Sequence, residues 1–213
     1  MTPTLWGLPA ILLLVFGALT LFAYRSLALP LTAHLDHTGY TAPAPDQTPS
    51  LAPLFSASVQ RWQPLIATAA DRSGLPTALI ATVMQIESCG DPAARSNAGA
   101  LGLMQVMPYH FTLSHEPLNP TVNLDVGVNY LRGSYQKAEG DIARTLAGYN
   151  GGHGVIERDP ATWPEETQRY VMWGTGIYAD AIQGAETSTT LDRWLAAGGQ
   201  SLCRSAGARR AAR

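Results

Sequence analysis

Charged residues and cysteines are both scarce in this chain. Only 14% of its 213 residues are charged, the net charge is −2, and there are two cysteines. No stretch gathers Lys and Arg into a basic stripe, so we expect no nucleic-acid partner. No run alternates apolar and polar residues as a strand does, and no internal repeat is visible. The sequence therefore predicts a mainly α-helical protein.

Metal-binding and phosphate-binding motifs are missing as well. Two groups of histidines could be considered ligand sets by spacing: His34 with His37, and His110 with His115 and Glu116. Neither group matches a well-defined zinc pattern. His153 lies in a Gly-rich turn, but that turn lacks the preceding strand and the following Lys-Ser or Lys-Thr of a phosphate loop. We therefore expect neither a metal nor another cofactor.

The amino end contains a long uncharged apolar run from Leu5 to Tyr24. A helix of about 20 residues spans about 30 Å, the hydrocarbon thickness of a bilayer. We interpret residues 1–25 as a single-pass membrane anchor. A cleaved signal peptide is the alternative, because Ser26-Leu27-Ala28 offers small residues at a possible cleavage site. The run is, however, longer than a usual signal core, and no Lys or Arg precedes it.

A Pro-rich segment follows the predicted anchor. Pro43, Pro45, Pro49 and Pro53 lie close together, and such a segment is typical of an extended, semi-rigid spacer. We interpret residues 26–55 as a linker, with the domain boundary near Phe55. The folded domain is then residues 56–203, and residues 204–213, with four Arg, form a basic tail.

Apolar residues recur at helical spacing through the folded domain. Gly, Pro and Asp residues occur between the apolar repeats, at positions where helices commonly begin or end. The predicted helices cover residues 58–73, 76–87 and 119–137, a segment capped by Asp141, a long segment beginning at Trp163-Pro164, and a short one around Leu191, Trp194 and Leu195.

One acidic residue, Glu87, falls on the apolar side of a predicted helix. Ile80, Met84 and Glu87 are spaced i, i+4 and i+7, which places them on one stripe. Apolar surroundings raise the pKa of a carboxyl group, and the negative end of the helix dipole acts in the same direction. A carboxyl group that stays protonated near neutral pH can be a general acid. The simpler alternative is a Glu that reaches water or an Arg at the helix end.

Four short motifs occur in a fixed order along the chain. They are Glu87-Ser88, Gly102-Leu103-Met104-Gln105, Gly148-Tyr149-Asn150 and Glu166-Thr167-Gln168-Arg169-Tyr170-Val171. Together they resemble the lytic transglycosylases of the soluble-transglycosylase type, bacterial enzymes with a lysozyme-like helical fold. The resemblance covers roughly Trp62 to Tyr178. Two departures are Gly148, where the family usually has Ala, and Ser96-Asn97, where Ser-Pro is common.

The resemblance implies that the chain cleaves the MurNAc-GlcNAc bond of peptidoglycan and leaves 1,6-anhydromuramoyl ends. Glu87 would be the catalytic acid and then base. The other implied residues bind or orient the substrate: Ser88 and Tyr149 beside Glu87, Met104 and Gln105 in the cleft, Asn150, and Glu166 with Tyr170 in the cleft wall. A goose-type-lysozyme-like hydrolase and a non-catalytic, membrane-tethered wall-binding module are the alternatives.

A second catalytic carboxylate is not evident in the sequence. Most glycosidases use two carboxyl groups, and the candidates here are Asp91, Asp125 and Glu166. None shares the apolar setting of Glu87, which favours a mechanism with one carboxylate. A glycan substrate in the cell wall also requires export. We therefore expect the protein to be held in the cell membrane with its catalytic domain outside the cytoplasm, although Arg25 lies on the wrong side for that orientation. We also expect a monomer.

The two cysteines, Cys89 and Cys203, are an even number in a domain that we place outside the cytoplasm. Disulfides persist in that environment. We predict a Cys89–Cys203 bridge, which would hold the carboxyl-terminal tail beside the end of the Glu87 helix. The alternative is two unrelated thiols, with Cys89 buried as a small apolar residue.

Overall fold

The computed structural model describes residues 50–211, with side chains placed as far as Arg209. The predicted anchor, its cleavable alternative and most of the predicted linker lie in residues 1–49, outside the described residues. Within residues 50–211 no helix has the length and apolar character needed to cross a membrane. This part of the chain contains no β-strand, only isolated bridges around Leu101, which confirms the mainly α prediction.

The described helices run in sequence order from the start of the folded domain to its carboxyl end. They are α1 (Ala57–Gln60), α2 (Gln63–Ser73), α3 (Thr77–Ser88), α4 (Pro120–Lys137), α5 (Ile142–Gly151), α6 (Glu165–Ile182), α7 (Thr189–Trp194) and α8 (Gln200–Ala211). Short 3-10 turns occupy Pro108–His110, His153–Val155 and Pro160–Thr162.

The helix predicted over residues 58–73 is broken after Gln60, so that prediction was wrong in its continuity. Pro64 lies in the first turn of α2, where its missing N–H leaves no hydrogen bond unmade. An unbroken helix would instead place Pro64 in the interior. Trp62 lies at the break and donates its indole N–H to the carbonyl of Gly90 at 2.9 Å, which ties this corner to the end of α3.

Helix α3 is the most deeply buried element of the described chain. Leu79, Ile80, Val83 and Met84 have no exposed surface, because α2 and α6 pack along the helix while α1 and α8 pack near it. Burying each such side chain contributes about 1.5–3 kcal/mol. Helix α3 therefore carries Glu87, its second-to-last residue, on a rigid and well-packed support.

Helices α4, α5 and α6 pack side by side and form the other part of the core. Asp141 caps α5 as the sequence predicted, accepting a hydrogen bond from the Arg144 N–H at 2.8 Å. Leu146 of α5 and Ile177 of α6 are fully buried. A Cβ atom at Gly174 would come within 2.8 Å of the Leu146 side chain, so glycine permits α5 and α6 to approach closely.

The folded domain begins earlier than the sequence predicted. Leu51, Leu54 and Phe55 are all buried in the core, although the predicted linker extended to residue 55. The Leu51 N–H donates to the Gln63 side chain at 3.2 Å, and the Leu54 N–H donates to the Ala185 carbonyl at 3.3 Å. The reason is the composition of this segment: its apolar residues gain more by packing than by remaining in a spacer.

The carboxyl-terminal residues form a docked helix, α8, where the sequence predicted a solvated basic tail. Gly198, at φ 129°, produces the kink that separates α7 from α8. Cys203 of α8 forms a disulfide with Cys89, their Cα atoms being 5.0 Å apart, and Arg209 forms an ion pair with the buried Asp91. A covalent bond and an ion pair between the half-exposed Arg209 and the buried Asp91 therefore hold α8 against the end of α3.

Removing this disulfide is expected to lower the free energy of unfolding substantially. The bridge joins residues 114 positions apart, and the chain-entropy model gives a loop of that size at most about 4–5 kcal/mol. Urea unfolding of Cys203→Ser should show a loss of about 2–4 kcal/mol, and dithiothreitol should destabilise the parent protein alone.

The matched control is the Cys89→Ser, Cys203→Ser double variant. Once one cysteine is replaced, replacing the other should cost little, because the bridge is already absent. Two free thiols titrated in the unfolded, non-reduced protein, purified from an oxidising compartment, would contradict the bridge.

Candidate active site

A cleft of about 480 Å³ opens at the end of α3, and Glu87 lies in its lining. The volume lies within the range of about 300–1,000 Å³ that is usual for ligand sites. Its walls come from the loop after α3, the turn at Pro108–His110, and helices α4, α5 and α6. Among the lining residues are Glu87, Ser96, Gln105, Tyr109, His110, Tyr130, Tyr149, Asn150 and Glu166.

Glu87 is partly accessible in this cleft but is surrounded by protein on its other sides. Burial raises the pKa of its carboxyl group from 4.5 to about 8, and the negative charge of Glu166 acts in the same direction. The Tyr170 hydroxyl opposes the shift, because a hydroxyl facing the carboxylate favours its charged form. Glu87 is therefore largely protonated at neutral pH and can donate a proton into the cleft.

Two tyrosines face Glu87: Tyr149, which is half-buried, and Tyr170, which is buried. The Tyr149 hydroxyl donates a hydrogen bond to the Met104 carbonyl at 2.7 Å, while the buried Tyr170 hydroxyl has no partner at normal hydrogen-bond geometry in residues 50–211. Burial is the larger cause and the charge of Glu87 the smaller one that raise the pKa of each tyrosine hydroxyl well above the ordinary value for tyrosine. Both hydroxyls therefore remain protonated. The Tyr149 proton is donated to the Met104 carbonyl, so Tyr170 is the tyrosine that can donate to the Glu87 carboxyl group.

Gln105 lies in the cleft wall on a tight turn. Its backbone adopts φ 46°, the left-handed region, and its side-chain amide donates to the Gly102 carbonyl at 3.0 Å. Asn123, fully buried in α4, accepts from the Met104 N–H at 2.8 Å and donates to the carbonyls of Leu101, at 2.8 Å, and Pro117. One side chain thus fixes the position of the turn that presents Gln105.

Two residues predicted to serve the substrate are directed away from the cleft. The Ser88 hydroxyl is buried, donates to the Leu103 carbonyl at 2.7 Å, and accepts from the Gly90 N–H. The Met104 side chain is fully buried in the core. Ser88 follows Glu87 by about 100° around the helix, so it faces the loop instead of the cavity. The substrate-binding roles predicted for Ser88 and Met104 are therefore replaced by structural ones: both residues hold the loop in place.

The Gly148-Tyr149-Asn150 segment forms the end of α5. The Asn150 side chain lines the cleft, and its oxygen accepts a hydrogen bond from the Thr167 hydroxyl at 2.9 Å. Glycine at 148 has a local reason, because a Cβ atom there would come within 2.5 Å of the Ile156 side chain. In this chain the position next to Tyr149 therefore has no room for the usual Ala unless Ile156 moves.

The three other candidate carboxylates have different settings. Asp91 is buried, but it is occupied by Arg209 and by the Ala93 N–H. Asp125 pairs with Arg72 on the surface, outside the cleft. Glu166 is exposed and lines the cleft, so it is the remaining carboxyl group near Glu87 among the described residues.

Several residues of the site were not predicted from the sequence, and four of them matter most to its shape. Tyr109, His110 and Tyr130 line the cleft, and Asn123 holds the turn beneath it. Tyr130 is not one of the apolar residues that recur at helical spacing along its helix. His110 was considered only as a possible metal ligand. Only Asn123 could have been identified from the sequence, because it is a polar residue next to the apolar Leu124 in a helix that was expected to pack into the core.

Comparison with known proteins identifies the class to which this fold and cleft belong. The transglycosylase SLT domain matches residues 64–170, half of the chain. The chain therefore belongs to the transglycosylase SLT domain family. The match includes the first three motifs, with Glu87 and the cleft-lining segments around Gln105 and Asn150, and the fourth motif as far as Tyr170.

Individual relatives agree with this assignment. A membrane-bound lytic murein transglycosylase C from Histophilus somni is 35% identical over 130 residues, which are 52% of this chain and 36% of that protein. A transglycosylase of Enterobacteria phage PRD1 is 33% identical over 121 residues, 54% of this chain and 42% of that protein. The chain thus corresponds to well under half of the length of these relatives.

A solved structure shows the same fold. The 70-kDa soluble lytic transglycosylase in complex with bulgecin A superposes with a TM-score of 0.51 at 22% identity, over 60% of this chain and 25% of that one. The lysozyme-like helical fold expected from the motifs is therefore confirmed.

Replacing Asn123 by Ala is expected to loosen the turn that carries Gln105. The change leaves the Met104 N–H and the Pro117 carbonyl without partners, each costing about 1–3 kcal/mol, whereas the Leu101 carbonyl still accepts from the Val106 N–H. We therefore expect a total loss of about 2–6 kcal/mol in urea unfolding. Hydrogen exchange of the Met104 amide should accelerate at least about tenfold, which corresponds to 1.4 kcal/mol of local protection.

Asn119→Ala is the matched control in the same helix. Asn119 caps α4 through the N–H groups of Thr121 and Val122, so its loss should cost only about 1 kcal/mol and leave the Met104 amide protected. Equal exchange of the Met104 amide in the two variants would show that Asn123 does not hold the turn.

Proposed function

We propose that this protein is a lytic transglycosylase that cleaves the MurNAc-GlcNAc β-1,4 bond of peptidoglycan and forms 1,6-anhydromuramoyl ends. The observation that carries the proposal is the carboxyl group of Glu87, which is buried at the edge of the cleft and has a pKa of about 8. Family membership and the names of the relatives support the same activity.

The first chemical step uses Glu87 as a general acid. Its proton passes to the glycosidic oxygen while the bond from that oxygen to C1 of the muramoyl sugar breaks. The leaving sugar keeps its electron pair as a hydroxyl group. The acetamido group of the substrate stabilises the positive charge that develops at C1, and the Tyr170 hydroxyl stabilises the carboxylate left on Glu87.

The second step uses the same residue as a base. The Glu87 carboxylate takes the proton from the 6-hydroxyl of the muramoyl sugar as its oxygen bonds to C1, and this restores the protonated acid. No water is consumed. A pKa near the working pH suits a group that must both give and accept a proton, and burial produces such a value at Glu87.

The cleft suits a mechanism with one carboxylate. Glu166 is exposed and, on this account, tunes Glu87 by its charge and supports the cleft wall, while Gln105 and Asn150 offer amide groups to the sugars. Since Asp91 is paired with Arg209 and Asp125 lies outside the cleft, neither is placed to act as a second catalytic group.

We further propose that the protein acts as a monomer at the cell membrane, anchored by residues 1–25, with the catalytic domain outside the cytoplasm. Two observations support this. The run from Leu5 to Tyr24 is uncharged and apolar, and the disulfide between Cys89 and Cys203 belongs to an oxidising compartment.

A digest of purified peptidoglycan, analysed by mass spectrometry, tests the proposed activity. The products should carry 1,6-anhydromuramoyl ends, which lack one water relative to reducing ends. Reducing ends would contradict the proposal in favour of a lysozyme-like hydrolase, and an absence of cleavage would leave a wall-binding module.

The Glu87→Gln variant should lower the rate of cleavage by about 10²–10⁴-fold, because general acid and base assistance is lost. The amide preserves the shape of the side chain, so thermal unfolding should change little. Glu165→Gln is the control, since Glu165 is an exposed carboxylate at the start of α6 that pairs with Arg169. A Glu87→Gln protein with more than about a tenth of normal activity would exclude the assigned role.

A further inference from the structure

Gln85 is a fully buried polar residue of α3 to which the glycan chemistry assigns no role. Its side-chain oxygen Oε1 accepts a hydrogen bond from the Ser56 N–H at 3.0 Å. The other end of the amide, Nε2, lies 3.0 Å from Cys89 Sγ and 3.4 Å from Cys203 Sγ. The backbone of Ser56 therefore sets the orientation of this amide, with its donor end facing both sulfur atoms of the disulfide.

The Ser56 hydroxyl is a second donor beside the same sulfur. Its oxygen lies 3.3 Å from Cys89 Sγ and accepts a hydrogen bond from the Val59 N–H at the start of α1. A disulfide sulfur carries no proton, so the hydroxyl is the group that donates. Hydrogen bonds to a charged acceptor are about twice as strong as those between neutral groups. The two donors therefore favour negative charge on Cys89 Sγ, as in a thiolate.

The two sulfur atoms differ in their access to solvent. Cys89 is fully buried, whereas Cys203 is half-buried and lines a cavity of about 340 Å³ beside α8. This cavity shares no lining residue with the cleft that contains Glu87. Among the described residues that line it, Arg204 is the only charged one. A reagent that enters the cavity therefore meets Cys203 and a positive charge.

This arrangement matches the requirements of thiol–disulfide exchange. In that reaction a thiolate attacks one sulfur and the other sulfur leaves as a thiolate, so access and stabilisation of the leaving group both matter. Arg204 attracts an incoming thiolate to Cys203, while Gln85 and Ser56 stabilise the thiolate that leaves. The carbonyl end of α3 opposes a negative charge on Cys89, but hydrogen bonds to a charged group outweigh that effect.

We propose that the Cys89–Cys203 disulfide is a site of thiol–disulfide exchange, which a thiolate opens by attacking Cys203 and expelling Cys89. The reagent sulfur bonds to Cys203 Sγ, and the electron pair of the broken bond leaves on Cys89 Sγ. When the reagent is a dithiol, its second sulfur then attacks its first one and releases Cys203. The reductant becomes a disulfide, and its two protons end on the two cysteines. The same steps in reverse, with a disulfide oxidant, form the bond.

Opening the bond controls the docking of α8, because Cys203 is the covalent link of that helix to the end of α3. The ion pair between Arg209 and Asp91 and the buried Ala206 remain as non-covalent contacts. The reagent that this site fits best is an anionic thiol, since Arg204 provides the charge at the entrance. The inference is independent of the proposed glycan chemistry, and none of its tests uses peptidoglycan.

The charge preference is tested by the rate of reduction of the full-length protein with mercaptoethanesulfonate, mercaptoethanol and cysteamine. The chain has two cysteines, so the release of free thiols reports this bond alone. Replacing Arg204 by Gln should slow reduction by the anionic sulfonate about two- to fivefold, as for the loss of a surface charge contact. Reduction by the cationic cysteamine should change less than about twofold.

Arg193→Gln is the matched control, because Arg193 is an exposed residue of α7 that does not line this cavity. All three thiols should reduce this variant at the rate of the parent protein. An equal change with all three thiols in Arg204→Gln, or no change with any of them, would contradict a charged entrance at Cys203.

The role of the Gln85 amide is tested by Gln85→Met, which keeps the size of the side chain and removes the donor. Reduction should slow about tenfold, since a hydrogen bond to a charged group is lost. Thr82→Val is the control, because it removes a buried hydroxyl that has no partner in the described chain from the same helix, and its rate should stay within about twofold. Equal rates in Gln85→Met and the parent protein would exclude the amide from the exchange.

Mapping the attacked sulfur in the parent protein decides the proposal without any variant. After brief exposure to mercaptoethanesulfonate, free thiols are blocked with N-ethylmaleimide and the peptides are identified by mass spectrometry. We expect the sulfonate adduct on Cys203 and the maleimide on Cys89, with a reduction rate that is independent of urea below the unfolding transition. An adduct on Cys89, or a rate that rises with urea from the lowest concentrations, would show that the bond opens only after unfolding and would overturn the inference.

Discussion

The removal of the Glu87 carboxyl group from water is the constraint on which the rest of the site depends. A buried carboxylate without a cation is costly, so the group keeps its proton to an unusually high pH. The packed core around α3 produces that burial, and the Tyr170 hydroxyl moderates its effect on the pKa of Glu87. A more exposed Glu87 would be ionised at neutral pH, and a completely enclosed one could not reach a substrate.

The elements around Glu87 can be understood as ways of keeping this one position fixed. Asn123 holds the turn that brings Gln105 into the cleft, and Ser88 joins that turn to the end of α3. On the opposite side, α8 is tied to the residue after Ser88 by a disulfide. Contacts on the cleft side and on the outer side of α3 therefore hold Glu87 in a partly buried position, where its charged form is unfavourable.

Periodicity and short motifs were enough to predict most of the helices, the family resemblance and the position of Glu87, but not the break before α2 or the helix α8. They failed where the answer depends on the direction of a side chain. Ser88 and Met104 belong to the right motifs, yet their side chains face the core or the loop. The cleft-lining rings of His110 and Tyr130 leave no periodic signal, because they come into contact only after distant segments have folded together. Composition likewise assigned Leu51 and Leu54 to a Pro-rich linker, although tertiary packing includes them in the core.

The most direct test of this account is the pKa of Glu87, measured by NMR on protein labelled with ¹³C at the glutamate carboxyl carbon. The Glu87→Gln variant identifies the signal by its absence. We expect a titration midpoint of about 8, with the group protonated below that pH and charged above it. A midpoint near the ordinary value of 4.5 would mean that Glu87 is ionised at neutral pH, and the claim that burial supplies the catalytic proton would be wrong.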